Sequence, residues 1–204
     1  MDDDLTLLER WSLLLPQRPD LGTDLVARYA DPARRYHDRR HLSDVLDRVA
    51  ELAAELDDSR AVMLAAWFHD AVYDVRAGDN EERSAQLAEH ALAAAGEGTA
   101  MVLEVARLVR VTASHQVAPD DRNGAVLCDA DLAVLAGDEQ SYARYSSAVR
   151  EEYAHVDTES FRRGRAAVLE NLLALPVLFS TSYGRAHWEA PARYNLNAEL
   201  ASLR

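Results

Sequence analysis

A single cysteine, Cys128, stands in a chain of 204 residues. One thiol excludes an internal disulfide and a cysteine-rich zinc site. Lysine is missing altogether, so all 22 basic residues are arginine. That excludes Schiff-base chemistry and the phosphate-binding lysine of a P-loop. Eight glycines and six prolines are too few for the many tight turns of an all-β chain. No apolar run approaches the ~18 residues of a membrane span. The N-terminal stretch MDDDLTLLERW lacks the positive region of a signal peptide, so a reducing cytoplasmic setting is expected.

Negative charge, by contrast, is abundant. Thirty-five acidic residues against 22 basic ones give a formal charge of −13. Such a surface repels phosphate backbones and anionic headgroups, so neither nucleic acid nor a membrane is an expected partner. A local basic pocket is still compatible with a small anion. A composition 49% hydrophobic and 28% charged excludes a disordered chain, a collagen and a coiled-coil rod. The length suits one domain that buries roughly 70% of its unfolded surface.

The apolar periodicity is helical nearly throughout. Leu5, Leu8, Trp11 and Leu15 recur at spacings of three and four before Pro16. A second helix is expected over about 20–30. A third starts near Arg40 and carries the stripe Leu42, Val45, Leu46, Val49 and Leu52. Asp58 or Ser59 caps a fourth, which is expected to continue to about Tyr73. Further helices are expected over 81–95, 100–115, 125–136, 139–155, 158–174 and 191–203, with loops at 75–80 and 117–124. The expectation is an all-α chain of eight to ten helices.

Seven histidines stand at 37, 41, 69, 90, 115, 155 and 187. His37 and His41 are four apart, a spacing at which one helix face presents both to a metal; a solvated first turn is the alternative. His69-Asp70 follows the apolar run AVMLAAWF. Two ionisable groups at the end of a core helix need a partner, either each other or a cation. In CDADLAVL, Asp129 reads equally as a helix N-cap, whereas Asp131 lies deeper in the apolar stretch.

Taken together, His41, then His69-Asp70, then Ala130-Asp131 resembles the H…HD…D order of the HD superfamily of metal-dependent phosphohydrolases. The stretches RRYHDRRHL (34–42), AAWFHDAVYD (65–74), DNEERSA (79–85) and DADLAVL (129–135) resemble a branch of small, stand-alone predicted members. ARYNLNAEL (192–200) does so more weakly, and the likeness spans about 30–200. The resemblance implies one HD-type helical domain over 1–204, with a metal-site core at about 30–140 and the C-terminal helices 139–204 packed on it. It implies four ligands, His41, His69, Asp70 and Asp131, on one divalent ion: Mn, Fe, Co, Ni, Zn or Mg. It also implies hydrolysis of a small phosphorylated molecule, a nucleotide first among the candidates, at a phosphomonoester or pyrophosphate bond. A non-catalytic metal or nucleotide sensor on the same frame is the alternative.

Around these ligands the residues suggest further roles. Asp38 or Asp44 is expected to steady an imidazole. HDAVYD resembles the HDxxED stretch of alarmone hydrolases, with Tyr73 where that stretch has Glu. Asp74 then becomes an acid/base candidate, one helical turn after Asp70. Glu81 is the second, or else a charge favoured by a helix N-terminus. Arg34, Arg35, Arg39 and Arg40 form a local basic excess; Arg40 is the substrate-binding candidate, with His115 beside it. His155 and His187 are expected at the surface. A homodimer is as compatible with the sequence as a monomer.

Overall fold

Aspartate punctuates this chain. Asp38, Asp58, Asp121, Asp138 and Asp157 each precede a helix, and each carboxylate accepts a backbone N–H of the first turn. Such a cap satisfies donors that a helix cannot pair internally and is worth about 1 kcal/mol. In the computed structural model, which describes residues 2–204 and side chains from Thr6 onward, these caps delimit an all-helical architecture. The side chain of Leu5, expected on the first apolar stripe, lies outside the described residues.

The helices are α1 (Asp2–Leu14), α2 (Pro19–Tyr29), α3 (Arg39–Glu51), α4 (Ser59–Phe68), α5 (Asn80–Ala94) and α6 (Thr99–Val111). They continue as α7 (Arg122–Leu132), α8 (Glu139–Glu152), α9 (Thr158–Ala174), α10 (Ser182–His187) and α11 (Glu189–Leu203). A 3₁₀ turn, Ala133–Ala136, follows α7. No strand occurs among the described residues, and no helix there is long and apolar enough to cross a membrane.

α4 is the centre of the molecule. Its run AVMLAAWF is apolar on every side, and Ala61, Val62, Leu64, Ala65, Ala66, Trp67 and Phe68 are all buried. A helix apolar all round must be surrounded, and α3, α5, α6 and α7 pack about it. Trp11 of α1 meets Trp67 edge-on at 5.2 Å and donates its indole N–H to the Arg18 carbonyl at 2.8 Å. Gly22 makes that approach feasible, since a Cβ there would lie 2.3 Å from the Trp11 ring. Buried apolar residues from Leu7 to Leu200 belong to one cluster, so the C-terminal helices share the core of the first seven.

Polar side chains fasten those C-terminal helices. Arg165 of α9 and Glu199 of α11 form a bidentate pair at 2.8 and 2.9 Å, with both side chains under 10% exposed. Asn195 of α11 donates to the carbonyls of Leu135 and Gly137. Asp129 of α7 accepts from the backbone N–H groups of Ser180 and Thr181 and from the Thr181 hydroxyl.

Two expectations need correction here. α4 ends at Phe68 rather than near Tyr73, because the Asp70 N–H is taken by the Tyr29 hydroxyl and the Val72 N–H by the Ser84 hydroxyl instead of by carbonyls four residues back. Asp129 is no N-cap: Asp121 starts α7, and Asp129 sits near its end as an anchor for the 180–181 loop. A short helix, α10, precedes the last one, and the all-helical class is as expected.

Gly184 of α10 lies against that anchor. A Cβ there would stand 2.6 Å from an Asp129 oxygen and 2.8 Å from the Phe179 Cβ. Gly184→Ala is expected to lower stability by about 1–3 kcal/mol, read as a fall in melting temperature. An unchanged melt would mean that this packing is not rigid.

Candidate metal centre

Three segments bring the site together. His41 lies in the first turn of α3, on the same buried face as Leu42 and Val45. His69 closes α4 and Asp70 follows it in the turn. Asp131 is near the end of α7. The turn after α4 is tied down twice: the Tyr29 hydroxyl accepts from the Asp70 N–H and donates to the Trp67 carbonyl, both at 3.2 Å. The buried Arg34 donates to the carbonyls of Asp70 (2.7 Å) and Ala71 (3.3 Å), and also to that of His37 (3.0 Å). One guanidinium therefore links the approach to α3 with the turn after α4.

At the centre, His41 Nε2 and His69 Nε2 are 3.1 Å apart. Asp70 Oδ2 lies 3.4 Å from the first and 3.2 Å from the second. Asp131 Oδ1 lies 3.3 and 3.7 Å from the same two nitrogens. Ligand atoms bonded at about 2.1 Å stand about 3.0 Å apart at octahedral angles and about 3.4 Å apart at tetrahedral ones. The observed separations span both. His69 Nδ1 is 2.8 Å from the Ala66 carbonyl, which only accepts, so this nitrogen carries the proton and Nε2 presents its lone pair to the centre. His41, His69 and Asp131 thus form a group that could hold a metal ion.

The electrostatics follow from this crowding. Burial opposes a charge on His41, but hydrogen bonds to Asp131 and Asp70 outweigh it and hold its pKa up at about 10. His69 is raised in the same way, with Asp70 the main opposing influence to burial. Burial pushes both carboxylates up, yet the imidazoles prevail: His69 and His41 hold Asp70 well below its ordinary value, and His115 and His41 lower Asp131. The buried pocket therefore favours ionised carboxylates that face positive charge.

Each remaining sequence expectation has a definite place. His115 Nε2 is 2.9 Å from the other Asp131 oxygen, so His115 steadies that carboxylate and does not line the neighbouring cavity. Its φ of 53° is unusual for a residue other than glycine. His37 does not join His41 at this centre: its Nδ1 is engaged by Glu152 at 2.8 Å and its ring stacks on Tyr73 at 4.2 Å. Asp38 caps α3 through the N–H groups of Arg40 and His41 and does not hold an imidazole. Asp74 is exposed in a turn and accepts from the Arg76 N–H, so Asp70 and Asp74 share no helical face. Glu81 lies in the first turn of α5 and makes no hydrogen bond or ion pair among the described residues. Arg34 is buried as a clamp on carbonyls, whereas Arg35 and Arg40 are exposed at a cavity beside His41 and Asp131.

Two contributions escaped the sequence. Arg144, on α8, reaches the same cavity. Glu152, the last residue of α8, has a side chain 1% exposed and gathers the N–H groups of Arg35, Tyr36 and His37 at 2.8, 2.8 and 3.0 Å. It also meets His37 Nδ1 and the Tyr73 hydroxyl. No local pattern announces a partner more than a hundred residues away. Comparisons with models of protein families, with curated proteins and with solved structures give no match to this chain.

Burial tends to raise the pKa of Glu152, but His37 and the backbone donors prevail and hold it at about 2, below the ordinary 4.5. A depressed carboxylate stabilises the fold above pH 4.5, and that contribution is lost as the pH falls towards 2. A shift of this size is worth on the order of 3 kcal/mol. Glu152→Gln is expected to be less stable than the parent at pH 7, with the gap closing between pH 4.5 and 2 in chemical denaturation. A gap independent of pH would show that packing, not charge, is what Glu152 contributes.

Proposed function

We propose that this chain is a metal-dependent phosphohydrolase acting on a small phosphorylated substrate, with a nucleotide the first class to test. The observation that carries the reading is the meeting of His41, His69 and Asp131 at ligand spacing, with Asp70 against both imidazoles, beside a cavity walled by arginines. The reaction type comes from the resemblance of their order along the chain to the HD superfamily. Asp70 is the fourth ligand in this reading, since its Oδ2 faces both imidazole nitrogens within 3.4 Å.

A divalent cation held here supplies a Lewis acid for a phosphoryl oxygen and lowers the pKa of water into the neutral range. The chain's own groups supply the rest. Ala66 fixes the His69 tautomer and His115 fixes the Asp131 carboxylate. Arg35 and Arg40 form no ion pair with a carboxylate among the described residues, and their planar N–H forks suit phosphate oxygens. With Asp74 engaged in its own turn, Glu81 is the acid/base candidate that keeps an unengaged carboxylate.

The test is turnover of a panel of phosphomonoesters, nucleotides and pyrophosphates by protein stripped of metal and reloaded with Mn²⁺, with melting followed in parallel. At a metal concentration 100-fold above Kd the parent is expected to gain about 2.7 kcal/mol of stability. Asp70→Asn and Asp131→Asn are expected to lose that gain together with turnover. Equal metal-induced shifts in the parent and in both variants would refute the ligand set. Tight nucleotide binding without release of phosphate or pyrophosphate would replace the hydrolase with a non-catalytic sensor.

A second prediction concerns proton transfer. Glu81→Gln is expected to cut turnover by about 10²- to 10⁴-fold and to leave the metal-induced melting shift intact. Turnover within twofold of the parent would remove Glu81 from the chemistry.

A further inference from the structure

We infer that the substrate carries a second anionic group beyond the phosphoryl group at the metal centre, as a diphosphate or a bisphosphate does. The inference rests on the phosphohydrolase reading and goes on to name the substrate class. The cavity beside His41 and Asp131 has a volume of about 420 Å³. That lies in the roughly 300–1,000 Å³ range of small-molecule sites and exceeds what one phosphate group fills. Ala130, Ala133 and Ala148 contribute small side chains to its wall and leave that room open.

Four arginines line it: Arg35 from the segment before α3, Arg40 and Arg48 from α3, and Arg144 from α8. In a chain of formal charge −13 this is a local reversal of sign. The carboxylates of the same wall are mostly engaged elsewhere. Asp38 caps α3, and Asp131 faces His41, His69 and His115. Arg48 shares its charge with Glu51, and Asp44 stands between Arg40 and Arg48 on α3. Arg144 donates to the Ser141 hydroxyl at 2.9 Å, and among the described residues it makes no ion pair, although its charge is felt by Asp138. A positive excess remains.

That excess is also spread out. Arg40 adjoins His41, whereas Arg48 is seven residues further along α3, about 10 Å at 1.5 Å per residue. Arg144 approaches from another helix. A single phosphoryl group at the metal engages the near end, Arg40 and Arg35. Arg48 and Arg144 match a second group carried on the same molecule, where each guanidinium offers a bidentate fork.

The experiment is isothermal titration calorimetry of Mn²⁺-loaded protein with methylenediphosphonate, a non-hydrolysable diphosphate mimic, and with inorganic phosphate. The diphosphonate is expected to bind at least tenfold tighter. Arg144→Gln and Arg48→Gln, both at exposed positions, are each expected to weaken the diphosphonate by about 3- to 30-fold and to leave phosphate within twofold. Equal affinity for the two anions, or equal weakening of both by the variants, would overturn the inference. The outcomes separate from those of the parent reading. Turnover of monophosphates with no preference for a second phosphate leaves the hydrolase standing and removes this inference. Arginine-dependent diphosphonate binding without any turnover does the reverse for a binding protein.

Discussion

Two imidazole nitrogens 3.1 Å apart, each within 3.7 Å of two carboxylate groups, cannot sit in a helical core without positive charge among them. Burial alone would drive the imidazoles neutral and protonate the carboxylates. Here the groups are held so close that each stabilises the charge of the other, as the high pKa of His41 and the low one of Asp70 record. The fixed tautomer of His69 sharpens the point, since its lone pair faces His41. A proton or a cation satisfies that arrangement. The rest of the structure serves to keep four side chains from three segments in this register.

The clamps are polar and long-range. Arg34 holds the approach to α3 and the turn after α4 on one guanidinium, and Tyr29 holds the same turn from a different side. Glu152 then ties the segment 35–37 to the end of α8. Through that carboxylate the C-terminal helices become part of the site, and with them comes Arg144 of α8. Asp129 anchors the 180–181 loop and lies two residues before Asp131 on α7, so the helix that carries Asp131 is fastened at the same point. Removal of any one clamp leaves buried polar groups unpaired, which costs more than the bond itself contributes.

Much of the fold was legible because its causes are local. Asp58 ahead of an apolar run, the stripe from Leu42 to Leu52, and the apolar spacing over 158–174 are local patterns, and the helices follow them. Where the reading slipped, a distant group had intervened. Tyr29 and Ser84 ended α4 early, and with it went the alignment of Asp70 with Asp74. His37, four residues from His41, was claimed by Glu152.

The sequence by itself determined the helical class and which residue types offer metal-ligating atoms in which order, since those depend on neighbours along the chain. Only the tertiary structure decided which of the carboxylates meet the imidazoles, which arginine is buried as a clamp and which are left at the cavity, and that His115 faces Asp131. Those choices depend on side chains brought together from 16 to 117 positions apart, and a separation of that kind leaves no periodic trace in the chain.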